Sequence, residues 1–246
     1  FVADMRELLS TLRSAYRHAV EIEFALNFLP HGDYRINLLQ CRPLQMRSMD
    51  AGADIQPRSD LPKRIEAQGA VIGPSRALRP DRLVYVVPAR YGAMGQAARL
   101  EVARLIGRIN RASGDRRLLV LGPGRWGTRD PWLGLPVGFS EINRVAALGE
   151  IVAMNENLIP DVSLGTHFLN ELIEADMLYF ALFPGRAGNR LDEDFLMGQP
   201  NRLGEMLPGD QAHAATVRVI DLPPDSALLI ADAEGQSVVV QTGSQR

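Results

Sequence analysis

Glu21, Glu23, Gln40 and Arg42 have the types and spacing to hold a metal-bound phosphate. Glu21 and Glu23 are two apart in VEIEF, and Gln40 and Arg42 are two apart in LLQCR. A strand repeats every two residues, so each pair lies on one face. Pro30-His31-Gly32-Asp33 sits between the two runs as a turn, and an antiparallel hairpin around it sets Glu23 opposite Gln40 and Glu21 opposite Arg42. A slip of one residue would undo that register. Two carboxylates on one face repel unless a cation sits beside them, and a hard divalent ion such as Mg²⁺ takes oxygen ligands of this kind. Gln40 offers an amide oxygen to the same ion, and Arg42 offers a rigid fork for phosphate. The same residues also make an ordinary cross-strand salt-bridge ladder, and local pattern does not separate the two.

A second group lies in GPGRWGTRDPWLG, residues 122–134, directly after an apolar run. Gly122, Gly124 and Gly127 permit close backbone approach, Arg125 and Arg129 supply cations, and Trp126 and Trp132 supply flat surfaces. This is neither a Walker loop nor a dinucleotide fingerprint, because no Gly-Lys-Ser/Thr follows and the glycine spacing is wrong. It reads equally as an anion site or as a rigid loop whose tryptophans plug a core. In the segment Asp161 to Phe168, Ser163 or Thr166 is placed to cap a helix, whose free backbone N–H groups suit an anion. If the two segments meet at one sheet end, Arg125, Asp130, Thr166 and His167 line a common pocket.

Helical and strand periodicities supply the elements that position these groups. Met5, Leu8, Leu9, Leu12 and Tyr16 form a helical stripe that should bury one face of residues 4–17. Val20, Ile22, Phe24 and Leu26 then alternate with Glu21, Glu23 and Ala25 as a strand, and a second strand ends at Pro43. Aperiodic Asp, Gly, Ser and Pro over 47–62 predict a linker, so the expected domains are 1–46, the linker, and 63–246. Beyond it, strands are expected at 82–88, 117–121, 145–154 and 177–183, with helices at 95–112 and 164–175. Arg99, Arg104, Arg108 and Arg111 would form the solvated face of the first of these helices. Residues 184–212 read as a long loop, and β segments at 215–221, 226–231 and 236–241 close the chain around a turn at Ala233-Glu234-Gly235. The fold class is α/β, a helix and hairpin followed by a mixed-sheet domain with a β-rich end.

Composition narrows the function. The 246 residues are 46% hydrophobic and 23% charged, with a formal charge of −2. No span is apolar enough to cross a membrane, and one cysteine, Cys41, excludes an internal disulfide and a thiolate metal cluster. A cytoplasmic setting is expected from this pattern. Of the 27 basic residues only Lys63 is lysine, which leaves little scope for lysine chemistry. Residues 1–117 carry 19 basic and 12 acidic residues, and residues 118–246 carry 8 and 17. The acidic, tryptophan-bearing half argues against nucleic acid as a partner.

Residues 20–43, VEIEFALNFLPHGDYRINLLQCRP, resemble the end of the ATP-grasp nucleotide-binding domain of the pyruvate phosphate dikinase and phosphoenolpyruvate synthase family. There an acidic pair in one strand is followed, after a hairpin, by a Leu-Gln-x-Arg-Pro strand. Glu21 and Glu23 match the acidic pair, and Leu39-Gln40-Cys41-Arg42-Pro43 match the second strand. The resemblance implies Mg²⁺ held by Glu21, Glu23 and Gln40, ATP phosphates approached by Gln40 and Arg42, and phosphoryl transfer towards pyruvate or a related small acid. The first acidic position is Glu where the family often has Asp, and the connection between the strands is longer. The wording GPGRWG, DPWLG and SxGTHF is similar to a C-terminal extension of some bacterial phosphoenolpyruvate-synthase-like proteins, which implies no chemistry by itself. On this reading the chain is the C-terminal part of such an enzyme, the phosphate-binding Lys and Arg lie in an upstream lobe that Mg²⁺ and ATP both require, and the chain alone is inert. His167 only superficially echoes the family's phosphoryl-carrier histidine. The alternative is a ligand-sensing or subunit-association module, with a homo-oligomer among its forms, that binds an anionic metabolite through Arg125, Trp126, Thr166 and His167.

Overall fold

The computed structural model describes residues 1–17, 20–43, 57–153, 162–163 and 166–243. They fall into two compact units, Phe1–Met46 and Arg47–Arg246. The first holds helix α1 (Val2–Tyr16) and strands β1 (Val20–Phe28) and β2 (Tyr34–Pro43), joined by a 3₁₀ turn at Pro30–Gly32. α1 ends on Arg17 in the left-handed conformation. None of its residues is buried, so the predicted stripe is present as a pattern but does not form a closed core. Phe28 is 79% exposed and Leu39 66%.

The hairpin register is the predicted one at the chemical end, with Glu21 opposite Arg42 and Glu23 opposite Gln40. Beyond Glu23 it shifts, because Phe24 pairs with Leu38. Leu39 is thus the extra residue of a bulge, which turns the strand and ends the carboxylate-bearing rungs at Glu23.

The second unit begins with β3 (Lys63–Gln68), β4 (Val71–Ile72), β5 (Arg76–Leu78), β6 (Arg82–Val86), α2 (Pro88–Gly92), α3 (Gln96–Ala112) and β7 (Leu118–Pro123). It continues through β8 (Arg125–Trp126), β9 (Gly134–Leu135), β10 (Val145–Ile151), α4 (His167–Glu174), β11 (Leu178–Leu182) and β12 (Arg190–Leu191). The chain closes with α5 (Glu193–Gly198), α6 (Leu203–Met206), β13 (Val217–Asp221), β14 (Ala227–Asp232) and β15 (Ser237–Thr242). A six-stranded sheet has the order β13-β6-β7-β10-β11-β4. Its four central strands are parallel, and β13 and β4 are antiparallel edges. A second, antiparallel sheet has the order β12-β3-β15-β14-β5.

Two apolar clusters divide this unit into three layers. Val84, Val86, Val120 and Leu148 pack with Val102, Leu105, Ile106 and Ile109 of α3 and Leu172 of α4. The alternate residues Leu83, Tyr85, Leu119 and Leu121 pack with Ile65, Leu229, Val238 and Val240 of the antiparallel sheet. The central strands are covered on both faces, which is why RLVYV and LLVLGP carry no polar alternation.

The architecture is mixed α/β, with several differences from the sequence reading. The tail of the expected linker is docked: the Arg58 N–H donates to Gln241 Oε1 at 2.8 Å and the Thr242 N–H to the Pro62 carbonyl at 3.1 Å. Residues 44–56 lie outside the described residues. Lys63 opens β3 and donates to Glu66 at 2.8 Å. Residues 184–212 are not a featureless loop, because α5 and α6 lie there and anchor it through the fully buried Leu196 and Leu203. Arg99 is not on a solvated face: it is buried, and donates to the carbonyls of Met94 (3.0 Å), Pro131 (2.9 Å) and Gly92 (2.8 Å). Among the described residues no helix is long and apolar enough to cross a membrane.

Candidate functional site

On the hairpin, Arg42 Nη2 donates to Glu21 Oε1 at 2.9 Å, so this rung is an ion pair across the strands. Glu23 and Gln40 form the next rung on the same face, beyond Ile22–Cys41, and are exposed. The result is an oxygen-rich edge: a carboxylate and an amide facing each other, and a second carboxylate already partnered by a guanidinium. That donor set suits a hard divalent cation, and Glu23, Gln40 and Glu21 are the residues that would hold it. Among the described residues no group of three or more His, Cys, Asp and Glu side chains is placed to hold a metal ion.

In the second unit the glycine-rich segment leaves the carboxyl end of β7, where parallel sheets place their ligand loops. It folds back on itself as the short parallel pair β8 and β9. Asp130 ties the turn between them: its side chain accepts from the Trp132 N–H at 2.9 Å and its carbonyl from the Leu133 N–H at 3.0 Å. The Tyr91 hydroxyl donates to the Gly134 carbonyl at 2.6 Å, and Arg99 lies 4.5 Å from the Trp132 ring centroid while gripping Pro131. Loop shape is therefore set by buried groups on α2 and α3.

The two sequence segments do meet, through a residue that the sequence reading passed over. Glu150, near the end of β10, is 1% exposed. Its Oε1 accepts from the Trp126 N–H at 2.9 Å and from the Ser163 hydroxyl. Its Oε2 accepts from the Ser163 N–H at 2.8 Å and from the Tyr179 hydroxyl of β11 at 2.5 Å. The Ser163 hydroxyl also lies 3.2 Å from the Trp126 carbonyl. Gly127, at φ +70°, completes the contact: a Cβ there would run into the Phe168 ring, so both its conformation and the approach of α4 require glycine. Burial pushes the Glu150 carboxyl above the ordinary carboxylate range, against the opposing pull of its hydrogen bonds. Burial, with the adjacent Glu150 charge second, pushes the Tyr179 phenol upwards, and Arg125 nearby pulls it down.

The predicted site residues separate into different roles. Trp126 is 1% exposed and its indole belongs to the core, so it presents no open face to a ligand. Trp132 stays on the surface under the Arg99 guanidinium. Thr166 caps α4, its Oγ1 accepting from the Leu169 N–H at 3.4 Å, whereas Ser163 serves Glu150. His167 opens α4 and is exposed. Arg125 is half-buried at the carboxyl edge, and Asp130 belongs to its own turn. Within the segment from Asp161 to Phe168, Asp161, Leu164 and Gly165 lie outside the described residues. The signal for Glu150 was a lone carboxylate inside the apolar strand VAALGEI.

No protein-family model matches the chain, and no curated protein or solved structure matches it. What the fold defines is a three-layer mixed α/β unit accompanied by a helix and hairpin.

Proposed function

We propose that the hairpin is the closing edge of an ATP-grasp nucleotide site of the phosphoenolpyruvate synthase and pyruvate phosphate dikinase kind, and that the protein serves ATP-dependent phosphoryl transfer towards pyruvate. The reading is carried by one observation: the register sets Glu21 opposite Arg42 and Glu23 opposite Gln40, so oxygen ligands and a phosphate fork share one face on either side of the Ile22–Cys41 rung. Glu23, Gln40 and Glu21 would hold Mg²⁺, which when bound neutralises charge on the nucleotide phosphates. Arg42, steadied by Glu21, orients phosphate through its planar fork. Lys63 is engaged in β3, so the phosphate-gripping lysine of such a site comes from an opposing lobe outside the described residues. Mg-ATP binding and catalytic turnover belong to that assembly, and the chain by itself is expected to be inert. Titration calorimetry on the complete protein, opposing lobe included, tests this: Mg-dependent ATP binding should be lost in Glu23→Gln and retained in Arg125→Ala.

A second reading is favoured by the meeting of the Trp126 and Ser163 segments at the carboxyl end of the parallel strands. That edge carries Arg125 and the capped start of α4, an arrangement suited to a small anion in a sensing or subunit-association role. Arg125→Ala would then change oligomeric state or anion affinity without touching Mg-ATP binding.

A further inference from the structure

The Glu150 cluster has a property that neither reading uses. Glu150, Ser163 and Tyr179 are essentially closed to solvent. They come from β10, from the segment before α4 and from β11, and the fourth partner, the Trp126 N–H, comes from the glycine-rich loop. One carboxyl is therefore the common acceptor for both loops. The two backbone N–H donors cannot change direction, but the hydroxyls can rotate. Ser163 has one hydroxyl proton and two acceptors in reach, Glu150 Oε1 and the Trp126 carbonyl.

That geometry accommodates two protonation states. With a proton on Oε1, the carboxyl donates to Ser163 Oγ and the Ser163 hydroxyl donates to the Trp126 carbonyl, so every group in the relay is paired. When the Oε1–H bond breaks and the proton passes to bulk water, the Ser163 hydroxyl turns to Oε1. The Trp126 carbonyl then loses that donor, and an ionic charge remains in a buried site. We propose that Glu150, Ser163 and Tyr179 form a proton-operated latch: the protonated cluster clasps the Trp126 and Ser163 segments together, and loss of the proton loosens them.

The surroundings set the sense of the switch. The register partners of Glu150 are Gly122 on β7 and Ala181 on β11, neither of which titrates. Tyr179 faces it from β11, and Arg125 from the loop after β7 acts on that phenol. On α4, His167 is exposed, while Glu171 and Glu174 line a separate cleft with Phe139 and Asn143. Burial of the carboxyl accordingly favours the protonated form. The inference is independent of whether Arg125 binds an anion.

Infrared difference spectroscopy of the full chain in D₂O tests it. The expected result is the carbonyl band of a protonated carboxylic acid that persists above the pH at which ordinary glutamates ionise. It should be lost in Glu150→Gln and shifted in both frequency and midpoint in Ser163→Ala. Over the same pH interval, acrylamide quenching of the buried tryptophan should rise in the wild type. Absence of any such band above the ordinary glutamate range would overturn the proposal. Should Glu150→Gln fail to fold, a band that Ser163→Ala leaves unmoved would overturn it equally.

Discussion

Replacing Glu150 by Gln changes few atoms and should still be costly. The two carboxylate oxygens accept from two different backbone N–H groups, those of Trp126 and Ser163. Glutamine has one carbonyl oxygen, so whichever way its amide sits, its NH₂ faces a backbone N–H that cannot turn away. A buried donor without an acceptor costs about 1–3 kcal/mol, and each hydroxyl bond weakened adds about 1 kcal/mol. A loss on the order of 2–4 kcal/mol follows, which lowers the melting temperature of a domain this size by roughly 4–16 °C. Thermal unfolding followed by circular dichroism reads it. The pH dependence gives a second, signed expectation. A carboxyl whose folded pKa lies above the unfolded value binds its proton more tightly when folded, so its stabilising contribution is complete below the unfolded pKa and is lost as pH rises through the folded one. Glutamine does not titrate there. The wild type's advantage should be greatest at acid pH and should shrink as pH climbs from the ordinary glutamate value of 4.5 through the raised one. Unchanged stability in the variant, or a deficit that widens with pH across that interval, refutes the reasoning.

Gly127→Ala places a side chain at φ +70° and against Phe168, which should cost about 2–4 kcal/mol and appear as a lower urea midpoint at unchanged slope. Arg99→Lys keeps the charge but loses the fork that grips Met94, Gly92 and Pro131, so a loss of about 2–3 kcal/mol is expected together with greater quenching of Trp132. Arg42→Ala removes an ion pair whose arginine side chain is half exposed, so stability should change by no more than about 1 kcal/mol. Mg-ATP affinity should nevertheless fall at least tenfold in that variant; stability loss without affinity loss would favour the simple salt-bridge ladder.

The hairpin register was legible because Pro30 to Asp33 marks the turn and the flanking runs alternate with period two. The bulge was not, since Leu39 is an apolar residue among apolar residues and nothing in its type signals an extra position. Strands β6 and β7 were visible as short apolar runs, whereas β3, KRIEAQ, hides its buried Ile65 and Ala67 among charged neighbours and is not among the expected strands. The meeting of the glycine-rich segment with the start of α4 could be anticipated from strand-end logic. Its agent could not, because Glu150 reads as an interruption of an apolar strand until Trp126, Ser163 and Tyr179, distant in sequence, are seen to converge on it. Arg99 escaped for a related reason: its spacing to the buried Val102, Ala103 and Ile106 places it on the inner face, but its charge suggests the outside, and only the carbonyls that its guanidinium grips give it a buried role.

The nucleotide-site reading is tested most directly by where a metal-nucleotide touches the chain. With Mn²⁺-ATP as a paramagnetic probe of the complete protein, the account predicts broadening of the amide resonances of Glu21 to Glu23 and Leu39 to Arg42, abolished by Glu23→Gln. Broadening confined to the Arg125 segment, or none above that of free Mn²⁺, would contradict it.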